Sequence, residues 1–364
     1  MPLVVLCAGG TGGHLFPAEA LAIALTKRGV EVDLATDARA AAYAGAFPAR
    51  RRHAIPSETF RSRSPGAVAA TLWKLGTGAL SAYAMLGREK PSAVVGFGGY
   101  PTVPPLMAAT WRRIPTLIHE QNAVMGRANR LLQTRVSAIA TGFPEVAAVD
   151  PSARAKLVFT GNPVRPAVIA AAATPYATAT DRLRLLVFGG SQGARVMSDV
   201  VPAAMALLEP ALRARLAIVQ QARDEDVERV TRAYREAGVS AEIAPFFSDL
   251  PARMAAADFV IARGGASTVA ELAVIGRPSI LVPLPGALDQ DQAANARALA
   301  AAGGTRVVMQ TDFTPQSLAA TLSATLADQA GLVAMAAAAR ATGRADAAER
   351  LADVVLDLIA RKRR

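Results

Sequence analysis

The sequence predicts an α/β protein made of two doubly wound units, each a parallel β-sheet covered by helices. Short β-branched runs alternate with helical patterns along the chain, which is typical of successive βαβ connections. The alternation restarts after Pro163 and Pro166, and each half carries a glycine-rich turn between a strand and a helix. A chain of 364 residues, 52% of them apolar, is also long enough for two domains with separate cores.

The strands expected in the first half cover residues 3–7, 31–36, 93–97, 116–119 and 138–141. The second half repeats the pattern at residues 183–188, 217–220, 242–245, 259–262, 280–283 and 305–309. Residues 170–181 are small and unpatterned, so the boundary falls between residues 161 and 181, and we place the domains at 1–164 and 165–344. The spacing of apolar residues predicts a C-terminal helix at about residues 345–364 that is able to pack back on either domain.

The two glycine-rich turns are the chemically informative elements. The first reads GGTGGH at residues 9–14 and the second GGSQGAR at residues 189–195. At a strand-to-helix turn, unpaired N–H groups and the positive end of the helix dipole point at one spot, which favours an anion such as a phosphate. Neither turn matches a Walker motif or the Gly-x-Gly-x-x-Gly dinucleotide fingerprint. Asp37, at the end of the second strand, keeps an NAD-dependent dehydrogenase as a minor alternative.

Composition limits the binding partners and the cellular compartment expected for this protein. A formal net charge of +11 favours an anionic partner, but aromatic residues make up only 5% and no nucleic-acid-binding signature occurs, so we expect no nucleic acid. Cys7 is the single cysteine, which excludes an internal disulfide and a cysteine zinc cluster. The N-terminus has no basic region before its short apolar run, so a cytoplasmic location is expected.

The stretch from residue 67 to residue 86 is apolar enough to be mistaken for a membrane span. It consists mostly of small residues and contains Lys74, so spanning is disfavoured. Ser64 and Pro65 predict a helix start there. A basic cluster flanks the stretch and comprises Arg50, Arg51, Arg52, Arg61, Arg63, Lys74 and Arg88. Leu72, Trp73 and Leu75 beside these residues fit a helix lying on a membrane surface, and an ordinary buried helix with a solvated basic edge is the open alternative.

Six motifs follow one another along the chain: GGTGGHLFP at residues 9–17, GFGGY at 96–100, HEQN at 119–122, GNPVR at 161–165, GGSQGAR at 189–195 and ASTVAE at 266–271. Together they resemble the motifs of the MurG family, the peptidoglycan glycosyltransferases of family 28. The resemblance covers most of the chain and implies the GT-B fold, in which two Rossmann-like domains face each other across a cleft.

The resemblance implies an inverting transfer of N-acetylglucosamine from UDP-N-acetylglucosamine to the muramyl sugar of lipid I, giving lipid II for the cell wall. The implied partners are the two substrates and an anionic membrane surface, with the enzyme peripheral on the cytoplasmic face of the inner membrane. No cofactor and no obligatory metal are expected, although the pair Asp289 and Asp291 imitates the metal-binding acids of another glycosyltransferase fold. A relative that acts on a soluble acceptor or epimerises a nucleotide sugar is the alternative.

Most of the implied donor site lies in the second half. The family pattern places the pyrophosphate at the helix beginning near Ala266, Ser267 and Thr268, and Glu271 on the ribose. Thr268 and Glu271 also have capping-box spacing, which leaves a self-capped helix as the alternative. The other positions matched to donor contacts are Phe247 at the uracil edge, Gln292 and Asn295 at the sugar, and Ser191, Arg165, Asn122, Thr11, Gly12 and Gly13.

The implied catalytic base is His14, because an inverting displacement needs a group that removes the acceptor proton near neutral pH. Only two other histidines exist, and His14 closes the first glycine turn. Glu120 is the alternative base. The first turn would cradle the acceptor diphosphate, and Gly98, Gly99 and Tyr100 would line the acceptor side.

Overall fold

Two parallel β-sheets organise the chain into two units. The computed structural model describes residues 1–9, 12–37, 47–58, 64–177, 181–190, 193–286 and 290–363. The first unit comprises Met1–Arg165 and Ala345–Arg364, and the second comprises Pro166–Arg344. The chain therefore passes into the second unit after Arg165 and leaves it after Arg344.

The sheet of the first unit has seven strands in the order β3-β2-β1-β4-β5-β6-β7, and every pairing is parallel. The strands are β1 (Leu3–Cys7), β2 (Glu31–Thr36), β3 (Arg52–Ala54), β4 (Ala93–Gly96), β5 (Thr116–Glu120), β6 (Ala138–Thr141) and β7 (Leu157–Phe159). Every residue of β1, β4, β5 and β6 is buried. Their nearly continuous apolar sequences follow from this, because helices cover both faces of the sheet.

In the described part of the first unit, four helices follow these strands: α1 (Gly12–Lys27), α2 (Pro65–Glu89), α3 (Val103–Trp111) and α4 (Arg127–Leu132). Helix α1 contributes Leu21 and Leu25 to the core on one face of the sheet. Helices α2, α3 and α4 fill the core on the other face, with Leu86, Leu106 and Leu132 among the buried side chains.

The second unit repeats the architecture with six parallel strands in the order β10-β9-β8-β11-β12-β13. They are β8 (Leu183–Phe188), β9 (Leu216–Gln221), β10 (Ser240–Ala244), β11 (Phe259–Ala262), β12 (Ser279–Leu281) and β13 (Arg306–Val307). The helices are α5 (Pro166–Ala171), α6 (Arg195–Ala206), α7 (Pro210–Arg215), α8 (Asp224–Glu236), α9 (Leu250–Ala256), α10 (Ala266–Ile275), α11 (Asp291–Ala301), α12 (Pro315–Ala327) and α13 (Gln329–Thr342).

The C-terminal helix α14 (Ala347–Arg363) belongs to the first unit. Leu351 and Val355 are fully buried in the core that contains Leu21 and Leu25 of α1. Arg28, just after α1, pairs with Asp353 of α14. Packing thus decides which unit this helix joins, a point that its spacing left open.

All the strands that the sequence predicts are present, and their ends differ by at most a few residues. Two strands were missed, β3 and β7, each only three residues long and each at an edge of its sheet. An edge strand of this length lacks the buried apolar run on which the prediction depends, since β3 reads Arg-His-Ala.

Both sheets reverse their strand order beside a central strand, at β1/β4 in the first unit and β8/β11 in the second. Helices leave such neighbouring strands toward opposite faces, which opens a crevice at the carboxyl ends of the strands. The two glycine-rich turns follow β1 and β8, so each lies at one of these crevices.

Candidate active site

The crevice of the first unit brings together residues that are far apart in sequence, the turn after β1 and the turn after β4. A Cβ added to Gly98 would lie 3.4 Å from Cδ2 and Nε2 of His14, and one added to Gly99 would lie 3.5 Å from its Cε1 and Nδ1. Both glycines have positive φ, 85° and 75°, which disfavours any side chain there. The backbone of the turn after β4 therefore lies directly against the imidazole of His14.

The surroundings of His14 define its protonation. Its Nδ1 donates to the carbonyl oxygen of Gly9 at 3.1 Å, so the lone pair is on Nε2. Burial lowers the pKa of His14, and the bond to Gly9 only partly offsets this. Because His14 lies in the first turn of α1, the positive end of the helix dipole also disfavours the protonated ring. The ring is consequently neutral near pH 7, with Nε2 as its unprotonated nitrogen.

The guanidinium of Arg165 packs against the first turns of α1. The Cζ of Arg165 lies 4.1 Å from the ring centroid of Phe16, one turn after Gly12. A Cβ on Gly12 would come within 2.9 Å of the same ring, so glycine is required at this close approach. The positive charge of Arg165 acts on Glu19, where it lowers a pKa that burial raises. A helix N-terminus and an arginine beside it form an anion-binding environment in the first unit. Thr11 lies outside the described residues.

Glu120 is surrounded by N–H donors. Its Oε1 accepts from the backbone N and Nδ2 of Asn122 at 3.0 and 3.3 Å, and its Oε2 accepts from the N of Gly126 and Nδ2 of Asn129 at 2.8 Å each. Burial raises the pKa of Glu120 although these four hydrogen bonds lower it. Four donors occupy the lone-pair positions of the carboxylate, which favours a role in holding the loop that carries Asn122 over a role as a base.

Two further buried polar residues, His119 and Gln121, help to hold this loop in place. The sequence alone assigned neither of them a role. Nε2 of His119 donates to the carbonyl oxygen of Gly161 at 3.1 Å, and its Nδ1 accepts from Nε2 of Gln121 at 3.2 Å. Burial lowers the pKa of His119 to about 4. Gln121 also donates to the carbonyl oxygen of Phe97 at 3.0 Å, which joins the ends of β5 and β4. The HEQN motif was the only signal of this network.

Tyr100 packs against the apolar core of the first unit. It opens a short 3₁₀ turn, Tyr100–Thr102, and its ring packs against the core beneath α2 and α3. The structure thus brings His14, Gly98 and Gly99 together directly, with Tyr100 following them on the same turn.

The crevice of the second unit is formed by the turns after β8 and β11. Gly190 and Gly193 have positive φ, 85° and 65°, and the N–H of Gly189 donates to Oε1 of Gln221 at 3.1 Å. Helix α6 begins only at Arg195. Ser191 lies outside the described residues.

Helix α10 follows β11 and begins at Ala266, with Gly265 as its N-cap and no capping side chain. The self-capped alternative is therefore wrong, because Thr268 is the third residue of the helix rather than its N-cap. The first-turn N–H groups of Ala266, Ser267 and Thr268 have no intrahelical acceptor. Glu271 is 7% exposed on the next turn. This is an N-terminus whose geometry suits a phosphate.

Helix α11 packs its first turn against the loop that leads into α10. A Cβ on Gly264 would come within 2.5 Å of the carbonyl oxygen of Gln292, so the approach requires glycine. Asn295 is fully buried and its Nδ2 donates to the carbonyl oxygen of Gly264 at 3.2 Å. Oε1 of Gln292 accepts from the N of Leu284 at 3.0 Å. Asn295 thus ties together the two segments that carry the predicted donor contacts.

Phe247 follows β10 and is 8% exposed. The Cζ of Arg253 lies 4.4 Å from the centroid of its ring, and Arg253 itself pairs with Glu242 and Asp249. The side chain is held in place, which leaves the backbone of Phe247 for the predicted uracil contact.

One group in the described part of the chain has the ligand types and spacing for a metal ion, Asp33, His53 and Glu89 of the first unit. Arg50 donates to Asp33 through Nε and Nη2 at 3.0 Å each and pairs with Glu89 at 2.6 Å, and His53 lies 2.9 Å from Asp33. Since Arg50 already neutralises these carboxylates, the cluster is an ion-pair network rather than a cation site. Asp291 uses Oδ1 to accept from the N of Gln292 at 2.8 Å, and Asp289 lies outside the described residues.

The outer surface of α2 is apolar. Leu72, Trp73, Leu80 and Tyr83 are exposed, Trp73 to 74%. We call these four side chains the α2 face. Their exposure contradicts the alternative of an ordinary buried helix.

Part of the basic cluster expected beside the α2 face is paired within the unit, since Arg50 and Arg51 bind Glu89 and Lys74 binds Glu58. Arg61 and Arg63 lie outside the described residues. Within the described chain no single helix is long and apolar enough to cross a membrane. One bent pair, residues 315–327 with 329–362, meets the length and composition requirement only jointly, across a 94° bend.

Two Rossmann-like units, each with a helix N-terminus at its crevice, have the architecture of the GT-B class of proteins. Comparison with known proteins agrees. The glycosyltransferase family 28 N-terminal domain matches residues 4–141, and the family 28 C-terminal domain matches residues 184–351. The chain belongs to glycosyltransferase family 28, and within it to the MurG family.

A relative in Rhodopseudomonas palustris is 62% identical over 97% of both chains and is named UDP-N-acetylglucosamine–N-acetylmuramyl-(pentapeptide) pyrophosphoryl-undecaprenol N-acetylglucosamine transferase. The crystal structure of Acinetobacter baumannii MurG matches with a TM-score of 0.79 at 30% identity, over 98% of this chain and all of that one. A UDP-GlcNAc 2-epimerase from Neisseria meningitidis matches with a TM-score of 0.69 at 14% identity, over 98% of this chain and 100% of that one. The epimerase shares the fold alone.

Proposed function

We propose that this enzyme transfers N-acetylglucosamine from UDP-N-acetylglucosamine to the muramyl sugar of lipid I, giving lipid II for peptidoglycan synthesis. The names of its relatives support the two substrates. The observation that carries the mechanism is the position of the His14 imidazole at the crevice of the first unit, where its Nδ1 binds Gly9 and its ring lies against Gly98 and Gly99.

His14 acts as the general base. The acceptor hydroxyl oxygen attacks the anomeric carbon of the donor while the bond from that carbon to the UDP oxygen breaks, and the configuration inverts. The hydroxyl proton passes to Nε2 of His14, which is the unprotonated nitrogen because Nδ1 donates to Gly9. A lowered pKa keeps the ring in its base form at neutral pH.

The first turn of α1 binds a diphosphate. N–H groups at Gly12 and Gly13 and the guanidinium of Arg165 over Phe16 supply donors and positive charge. We place the acceptor diphosphate here, and the donor contacts predicted for Gly12, Gly13 and Arg165 involve the same groups. The donor contact predicted for Asn122 lies after the next strand, β5.

The N-terminus of α10 binds the donor pyrophosphate, and Glu271 accepts hydrogen bonds from the ribose hydroxyls. Gln292 reads the sugar, and Asn295 acts through its bond to Gly264, which fixes α11 beside α10. Helix dipole and N–H donors stabilise the charge of the departing UDP, so the reaction is proposed to need neither metal nor cofactor.

The α2 face is proposed to dock on an anionic membrane from the cytoplasmic side, because the acceptor remains in the bilayer. An exposed tryptophan, two leucines and a tyrosine on one helix supply the apolar contact. The protein would then be peripheral on the inner membrane.

One assay tests donor, acceptor and metal together. The protein is incubated with labelled UDP-N-acetylglucosamine and a short-chain lipid I analogue, with and without chelator. We expect label in the lipid under both conditions. Label that reaches only free sugar, or an epimer of the donor, would contradict the proposed transfer, and loss of transfer with chelator would contradict the metal-free reaction.

A second assay tests the membrane surface. Sedimentation with phosphatidylglycerol vesicles should be lost in the double variant Leu72→Asp/Trp73→Asp and retained in Leu207→Asp. Leu207 is a matched control, since it is 54% exposed but lies in the second unit. Equal sedimentation of wild type and double variant would contradict docking through the α2 face.

A further inference from the structure

Arg277 is the largest fully buried side chain of the described residues, and it lies just after helix α10. A buried guanidinium is costly to desolvate and is normally accompanied by a carboxylate. In the described part of the chain Arg277 forms no ion pair, and burial lowers its pKa. Its acceptors are backbone carbonyls instead, so the question is what this arrangement holds together.

All five N–H groups of Arg277 are used on three segments. Nη1 donates to the carbonyl oxygens of Ile275 and Gly276 at 3.0 Å each, at the end of α10. Nε donates to Ala255 of α9 at 3.0 Å, and Nη2 donates to Ala255 and, at 3.1 Å, to Thr174 in the turn after α5. One planar group thus fastens the C-terminal end of α10 to α9 and to that turn.

The chemistry of these acceptors explains the arginine. The last carbonyls of a helix have no intrahelical partner and carry the negative end of its dipole. A cation that donates to them satisfies both the hydrogen bonds and the charge. The rigid fork of the guanidinium reaches three segments at once, which the single ammonium of lysine cannot do.

Helix α10 has only ten residues, so its ends are about 15 Å apart. Its first turn and Glu271 are the proposed donor contacts. A short helix moves as a rigid body, and freedom at its C-terminal end becomes displacement of its N-terminal N–H groups. Misplacement of about 1 Å is enough to weaken a binding site strongly.

We propose that Arg277 is a positioning residue for the nucleotide sugar: its guanidinium fixes the C-terminal end of α10, so that the first turn of that helix is held in place for the donor pyrophosphate. The inference rests on the proposed function. It assigns Arg277 no contact with substrate.

The test compares Arg277→Lys, Arg277→Met and the control Arg184→Met. Lysine keeps the charge and removes the fork, and an adjoining cavity of about 390 Å³, lined by Ala255 and Thr174, gives water access to the carbonyls freed there, so this variant should fold. Arg184 lines the same cavity but binds Asp258, 3.2 Å away, and not α10.

Calorimetric UDP affinity, donor and acceptor KM, kcat and melting temperature are measured for each protein. We expect Arg277→Lys to weaken UDP binding and raise donor KM by about tenfold, the equivalent of one lost charge-assisted hydrogen bond. Arg277→Met should show a larger effect, acceptor KM should not change, and Arg184→Met should keep wild-type UDP affinity.

A lower melting temperature with unchanged UDP affinity and donor KM would show a purely structural role and overturn the proposal. Failure of both Arg277 variants to fold would overturn it as well, since the residue would then serve the whole unit. If the wild-type protein itself binds no UDP, the proposed function fails rather than this inference.

Discussion

Replacement of Glu120 by glutamine separates a loop-holding carboxylate from a catalytic base. The four N–H groups around Glu120 require four acceptor positions, and a glutamine oxygen supplies two. With that oxygen facing Gly126 and Asn129, the new NH₂ group faces the two donors of Asn122. Two donors without acceptors cost about 1–3 kcal/mol each, and the partial exposure of Asn122 favours a total near the lower end, about 2–3 kcal/mol.

This loss can be measured by thermal unfolding. A domain of this size loses about 2–4 °C of melting temperature per kcal/mol, so the first unit of Glu120→Gln should melt about 4–12 °C lower. Because Asn122 is displaced, kcat should fall, but its pH dependence should stay that of the wild type, since His14 remains the base. Glu145→Gln, an exposed glutamate in the same unit, is the control and should change neither quantity.

The reasoning would be refuted by a variant that melts like the wild type yet loses about 10³-fold or more in kcat, the size of a lost general base. Recovery of activity by added formate in Glu120→Ala, whose shorter side chain leaves room for the anion, would point the same way. Either result would move the base role from His14 to Glu120.

Three further predictions follow from the buried polar groups. Because the pKa of His14 is lowered, the acidic limb of kcat/KM should have its midpoint below 6.5, and His14→Ala should lose that limb and most turnover while UDP binding persists in calorimetry. Burial lowers the pKa of His119 to about 4 in the folded state against 6.5 in the unfolded chain, so the unfolded chain binds more protons between these pH values. When the pH falls from 7.5 to 4.5, the free energy of unfolding in urea should therefore decrease by about 2–3 kcal/mol more in the wild type than in His119→Gln. Equal decreases would contradict a neutral buried ring. Asn295→Ala should lower the stability of the second unit by about 1–3 kcal/mol and raise donor KM with acceptor KM unchanged, and an unchanged donor KM would remove Asn295 from the support of the sugar site.

The strand pattern was predictable because parallel strands buried on both faces must be apolar, whatever the rest of the fold does. The predicted strand at residues 183–188 has the bounds of β8, whereas β3 escaped notice because an edge strand needs no such run. The glycine-rich turns were equally visible, since the positive φ of Gly190 and Gly193 favours glycine at these positions. Local rules of this kind operate within a few residues and therefore can be read from sequence.

The contacts that give these residues their chemistry depend on the tertiary structure. His14 contacts Gly98 and Gly99 because β1 and β4 are neighbouring strands where the strand order reverses. Arg165 stacks on Phe16 although the two residues are far apart in sequence.

The sequence by itself determined that this protein has two doubly wound units, with a glycine-rich turn between a strand and a helix in each and the motifs of its family. Only the tertiary structure decided that Glu120 is enclosed by four donors, that α14 joins the first unit and that Arg277 caps α10. The physical reason is that strand burial and helix starts depend on neighbouring residues, whereas desolvation and hydrogen bonding depend on side chains brought together from distant parts of the chain.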